Sequence, residues 1–288
     1  MSGQPHPHPS PATDDRPPRG EPIRVAVAGL GAIGTAVVRA VTEGSVPNVV
    51  IAAVAARDEA KCRATLAGLG CDAPVVAAGK LHEYADIVVE CAPAAILDDI
   101  VRPTVSAGKR AIVLSAGALL SHFDLVEVAR AHGGQIIVPT GALLGLDAVG
   151  AAAQGTINSV TMQTRKPIAG LLGAPYLVEN GIEIAGLTQA KRVFSGSARE
   201  AAIGFPANLN VAVALSLAGV GPDRTTLEIW ADPGVTRNTH RIVVDADSAR
   251  LDMTIENIPS ENPKTGRITA LSVISTLKKL QAPLRVGS

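Results

Sequence analysis

The apolar positions of this chain fall into two regimes. Over residues 23–28, 49–55, 87–90, 111–114 and 135–138 they form short, nearly continuous runs, with a shorter one at 74–77. Continuous runs predict strands buried on both faces. Between them, residues 35–43, 59–69, 93–107 and 122–132 read as helices, closed by Gly44, Gly70, Gly108 and Gly133. Strands and helices in alternation, joined by turns marked with Gly or Pro, predict βαβ units around a parallel sheet.

After Pro139 the pattern changes. Residues 159–164, 225–231, 240–245 and 250–255 alternate apolar and polar, as half-exposed antiparallel strands do. Helices are predicted over 142–153, 197–203 and 208–218. Residues 269–279 place Leu271, Ile274 and Leu277 at helical spacing and predict an amphipathic helix. The fold class is therefore α/β, a doubly wound parallel sheet over 22–140 followed by a second α+β domain with a mostly antiparallel sheet over 141–267. Residues 268–288 are expected to form a C-terminal helix packed back on the first domain. Residues 1–21, polar and rich in proline, are expected to be a disordered tail.

Composition narrows the function. With 47% hydrophobic and 18% charged residues, 288 residues suffice for sizeable cores. Lys plus Arg and Asp plus Glu are 26 each, so the basic excess of a nucleic-acid binder is missing. The uncharged stretch 25–38 is shorter than the roughly 20 residues that cross a bilayer, so no membrane partner is expected. Cys62, Cys71 and Cys91 form no CxxC pair, which points to small buried side chains in a reducing, cytoplasmic setting. No zinc constellation is present, and no metal is expected.

Gly29, Gly31 and Gly34 form GxGxxG directly between a strand and a helix. The first glycine permits the tight turn, the second lets backbone approach a pyrophosphate, and the third lets helix and strand pack closely. The amides of Ala32, Ile33 and Gly34 then open the helix toward the phosphates. This is the Rossmann-type arrangement for NAD or NADP. The second strand runs out as Ala55-Ala56-Arg57-Asp58. Asp58 is late for the ribose hydroxyls, and Arg57 suits a 2′-phosphate, so the cofactor stays open between NAD and NADP.

Three segments of the second half stand out. The segment 139–148 (PTGALLGLDA) follows the last strand of the parallel sheet, where such sheets place their ligand. Asn208 and Asn210 open an apolar helix, which N-capping alone would explain. His240 ends the segment 231–240 (ADPGVTRNTH). A lone histidine is more often structural, as His82, His122 and His132 at predicted helix ends on the surface would be.

Together with GLGAIG at 29–34, TRKP at 164–167, FPANLNVAVALSLAG at 205–219 and ENPKTGRITALSVI at 261–274, these segments resemble the L-aspartate dehydrogenase family. The resemblance covers the chain from Glu21 onward. One local departure is Ile168, where the family often carries a second proline. The resemblance implies that His240 is the catalytic acid/base and that Ala142 and Asn210, with Asn208 beside it, contact the cofactor. It implies reversible oxidative deamination of L-aspartate through iminosuccinate to oxaloacetate and ammonia, and a homodimer. The substrate carboxylates call for a cation. Arg165, Lys166, Arg237 and Arg241 all qualify. The rivals are a dihydrodipicolinate-type or homoserine-type reductase of the same architecture, and a non-catalytic dinucleotide sensor.

Overall fold

The computed structural model describes residues 21–205, 209–259 and 266–287. The expected tail through Gly20, and Asn208, lie outside the described residues. The first sheet contains β1 (Ile23–Ala28), β2 (Val49–Ala55), β3 (Ile87–Glu90), β4 (Arg110–Val113) and β5 (Gln135–Ile137). All its pairings are parallel, in the order β2-β1-β3-β4-β5. The predicted run 74–77 is reduced to one parallel bridge from Val75 to Val54. Pro74 cannot donate to a ladder, which keeps this segment short. Counting that bridge as an outermost strand restores the order of a dinucleotide-binding sheet.

Successive side chains of a strand face opposite ways. Val25 and Val27 therefore share one core with Val37 and Val38 of the helix Ala32–Thr42. Ala26 and Ala28 face the other core, beside Leu81, Val88 and Ile100. The final helix, Arg267–Gln281, buries Val273 and Leu277 in the first of these cores. Leu271 is 59% exposed instead of buried as its spacing suggested. The buried stripe runs through Thr269, Val273 and Leu277, spaced four apart.

The second sheet contains β6 (Ile157–Lys166), β7 (Lys191–Ser197), β8 (Thr225–Ala231), β9 (Asn238–Ala246) and β10 (Arg250–Asn257). Its order is β10-β9-β6-β8-β7. Three pairings are antiparallel, but β6 and β8 run parallel. Purely local alternation could not reveal this, because β8 returns to β6 only after the long excursion 167–224. Within that excursion β7 was not foreseen, since only Val193 and Phe194 of its seven residues are buried. Phe194 meets Tyr176 edge-on at 5.2 Å and Phe205 at 5.6 Å. The inner face of the sheet, with Met162, Leu227, Ile229, Ile242 and Val244, packs on Ala212 and Leu215 of the helix Asn210–Ala218.

The helix expected from 142 starts later, at Leu146. Gly141 and Gly145 hold φ at 64° and 69°, and the left-handed backbone at both keeps residues 141–145 as a loop. An added Cβ at Gly145 would lie 2.3 Å from Met253 Sδ, so this loop is also pressed onto β10.

Candidate active site

The glycine loop is built as its spacing requires. Gly29 has φ 94°, and a Cβ there would lie 2.6 Å from the Cys91 carbonyl oxygen. A Cβ at Gly34 would lie 2.0 Å from the Gly29 oxygen, so helix and strand touch at this point. At Gly31, in contrast, a Cβ would meet nothing within 4 Å. Gly31 is the N-cap of the helix Ala32–Thr42, and no side chain caps that helix or places an acid in its first turn. An open approach to uncapped helical amides fits a dinucleotide pyrophosphate.

A cleft runs from this loop to the second sheet. Ile33, Leu114, Thr140, Ala142, Asn210 and His240 are among its lining residues. Its wall is tied across long sequence separations. The Gly141 amide donates to Ser272 Oγ at 3.1 Å, and Asn257 Nδ2 donates to the Ala142 carbonyl at 2.9 Å. Asn210 Oδ1 accepts from the Gly117 amide at 3.0 Å. Asn210 thus bridges the two halves of the molecule and caps nothing, since its helix has no side-chain cap.

Glu90 supports the same wall from behind. It ends β3 fully buried and accepts from the amides of Ala92 at 3.1 Å, Leu114 at 3.1 Å and Ser115 at 2.9 Å, and from the Ser115 hydroxyl at 3.0 Å. Burial pushes its carboxyl upward, against the pull of these donors. Sequence reasoning passed over Glu90. The available signal was a carboxylate at the end of an otherwise apolar run.

The opposite wall is the end of the second sheet. Along β6 the buried face reads Val160, Met162, Thr164, Lys166. It turns polar only in its last two positions. His240 of β9 sits directly across from Thr164 and across from Ile255 of β10. Thr164 Oγ1 and His240 Nδ1 are 3.1 Å apart. This bond fixes the ring and leaves Nε2 for a ligand. His240 is 3% exposed, and burial first, then the charge of Lys166, holds its imidazole down to about 3. Lys166 is 4% exposed, and burial lowers its ammonium to about 8. Asn238 and Asn257, paired with each other in the ladder, complete this patch of the cleft. Neither they nor Thr164 had been singled out from the sequence.

The four candidate cations separate cleanly. Lys166 lines the cleft. Arg165, one residue earlier, lies on the other face of the sheet, 2.9 Å from Asp232 and 5.0 Å from the Trp230 ring centroid. Arg241, one residue after His240, also faces away and bonds Asp252 through both carboxylate oxygens. Arg237 is exposed, 4.0 Å from Glu256. Asp58 is spent on capping, accepting from the Lys61 amide at 2.9 Å at the start of the helix Glu59–Gly68. Arg57 beside it is exposed. Among the other described histidines, His132 is exposed, whereas His82 and His122 are half-buried instead of lying fully on the surface.

An open glycine cradle on a parallel sheet, facing a buried imidazole and amine across a cleft, defines an NAD(P)-dependent oxidoreductase. Residues 147–280 match the family described as aspartate dehydrogenase, C-terminal, and residues 29–139 match the NAD binding domain of homoserine dehydrogenase. The chain is 62% identical to an L-aspartate dehydrogenase of Bradyrhizobium diazoefficiens, over 92% of this chain and 94% of that one. It is 59% identical to L-aspartate dehydrogenase 3 of Bordetella bronchiseptica, over 93% and 98% of the two chains. An aspartate dehydrogenase structure from Thermotoga maritima superposes with a TM-score of 0.70 at 22% identity, covering 92% of this chain and 99% of that chain. The chain belongs to the aspartate dehydrogenase family. Among the described residues no helix is long and apolar enough to cross a membrane.

Proposed function

We propose that this protein catalyses the reversible oxidative deamination of L-aspartate with NAD or NADP. The amine is oxidised to iminosuccinate, and water then releases ammonia and oxaloacetate. The observation that carries the reading is the buried His240–Thr164 pair beside Lys166, set across the cleft from the glycine loop. When bound, NAD(P) takes the hydride from the α-carbon at C4 of its nicotinamide. Gly29, Gly31, Ala32, Ile33 and Gly34 receive the pyrophosphate, and Ala142 and Asn210 line the way to the reactive ring. Lys166 holds a substrate carboxylate.

His240 moves the proton. Before substrate binds it is neutral, because burial and the neighbouring ammonium both disfavour a second positive charge. Two entering carboxylates reverse that balance and raise the basicity of Nε2 where the amine must lose a proton. The same atom then delivers a proton, or activates water, when the imine is hydrolysed. A dinucleotide sensor would have no use for a desolvated base beside a desolvated amine. We place a second copy of the chain against the second domain, where Leu172, Val178 and Ile203 are 58%, 71% and 77% exposed. Sedimentation should then give a dimer that Ile203→Glu weakens.

The deciding experiment is initial rates with oxaloacetate plus ammonia, using NADH and NADPH, with pyruvate and 2-oxoglutarate as competitors. Strong preference for oxaloacetate is the expected result. No turnover on it, despite tight cofactor binding, would overturn the aspartate assignment. Arg57→Ala should lower kcat/KM for NADPH about 10-fold and leave NADH nearly unchanged, as expected for loss of a charge-assisted phosphate contact.

A further inference from the structure

One buried polar atom in the cleft has no partner among the described residues. Asn257 is 4% exposed and lines the cleft, and its Nδ2 is engaged by the Ala142 carbonyl. Its Oδ1 is buried and accepts no hydrogen bond from the described residues. A buried acceptor left unmade is costly, so such atoms are kept where something else completes them. The backbone of Gly266 packs close beside it. A Cβ at Gly266 would stand 3.1 Å from this oxygen, and glycine there has none.

Position says what completes it. Asn257 faces Asn238 in the β9–β10 ladder, and His240 faces Ile255, two residues back along β10. Asn257 is therefore the diagonal same-face neighbour of His240, about 7 Å away across the strands. Lys166 lies one same-face step beyond Thr164, the residue across from His240. The patch thus offers an ammonium for a carboxylate, a ring nitrogen for a proton, and an oxygen that can only accept. A carboxylate oxygen would be repelled there. The matching group is an N–H carried on the carbon next to the carboxylate.

Resting on the aspartate reading above, we propose that Asn257 Oδ1 accepts a hydrogen bond from the substrate nitrogen and so selects an amine over a hydroxyl at the reacting carbon. The proton count makes the selection. A neutral amine has two N–H bonds. Oxidation sends the α-hydride to the nicotinamide and one N–H proton to the base, forms the C=N bond, and leaves one N–H on the imine. Oδ1 stays satisfied from substrate to product. A hydroxy acid has a single O–H. Its oxidation sends that proton to the base and leaves a carbonyl oxygen facing Oδ1, acceptor against acceptor.

The test uses Asn257→Ala and Asn257→Asp in the full chain, assayed with oxaloacetate, NADH and ammonium chloride. Asn257→Asp keeps an acceptor oxygen and loses the donor to Ala142. Expected for Asn257→Ala is a 10- to 100-fold fall in kcat/KM for ammonium with the NADH Kd within about twofold, and a rise in ammonia-independent reduction of oxaloacetate relative to the ammonia-dependent rate. Asn257→Asp should recover much of the ammonium term. An unchanged ammonium term, with NADH binding weakened equally in both variants, would overturn the proposal and leave Asn257 as a prop for Ala142. It would also be overturned if the 3-acetylpyridine analogue of NAD, which lacks the amide N–H, bound wild type as weakly as NAD binds Asn257→Ala. That result would assign Oδ1 to the carboxamide of the cofactor. Ammonia-dependent turnover on pyruvate or 2-oxoglutarate alone would sink the aspartate reading, and the ammonium term would then be read on that acid. No ammonia-dependent turnover on any of the three would sink both.

Discussion

Arg165 and Lys166 are neighbours in β6, and His240 and Arg241 are neighbours in β9, yet the sheet sends the members of each pair to opposite faces. On the outer face Arg165 rests over Trp230 and pairs with Asp232, and Arg241 pairs with Asp252 at 2.6 Å. Those guanidiniums keep water on one side and carboxylates on the other. On the inner face Lys166 and His240 have lost their water, and burial drives both toward their neutral forms. A solvated ion pair gives little to a third charge that arrives. A desolvated amine gives much more, because the field of an incoming carboxylate is no longer screened. The proposed substrate site is therefore distinguished by burial and face, not by counting cations.

The sharpest way to break this contrast is at His240. His240→Ala should lower turnover about 100-fold or more, with NADH binding nearly intact in a fluorescence titration. Wild-type turnover in that variant would remove the inner face from the chemistry.

Lys166→Met comes next. It should raise KM for oxaloacetate about 50-fold, well above its effect on the NADH Kd. The ammonium form is the one that binds a carboxylate. In wild type, kcat/KM should therefore fall as pH rises through about 8, and Lys166→Arg should move that limb upward. A profile unchanged by the arginine would assign the limb to another group.

The third expectation concerns stability. His240 titrates near 3 in the folded protein and at its ordinary 6.5 when unfolded. The unfolded chain binds the extra proton between those values. The contribution of His240 is fully present above pH 6.5 and is lost as pH falls toward 3, at about 1.4 kcal/mol per pH unit. Urea unfolding of wild type and His240→Asn should converge across that window. Parallel curves would mean that the ring is not buried neutral.

The smallest effect is expected outside. Arg241→Ala should leave kcat/KM within about twofold and barely move the urea unfolding midpoint. A large loss of activity there would dissolve the distinction between the faces.

Much of this arrangement is local and could be read from the chain. The β-branched runs, the helix between β1 and β2 and the GxGxxG spacing are decided within a few residues, by strand burial and by the steric demands at Gly29 and Gly34. Continued past Thr164, where the predicted strand stopped, the same alternation separates Arg165 from Lys166. It does not say which of them the rest of the molecule covers. That depended on the helix Asn210–Ala218 packing under the sheet and on β8 returning parallel to β6. Tertiary structure alone turned Asn210 from a helix cap into a bridge to Gly117, 93 residues away, and brought Asn257 to Ala142, 115 residues away. It also surrounded the Glu90 carboxylate with four donors from two loops. Periodicity and turn chemistry act over one or two turns of chain, whereas desolvation and hydrogen-bond closure depend on which distant segments arrive. The sequence by itself thus determined most of the elements and the dinucleotide cradle, and the tertiary structure decided which side chains lost their water.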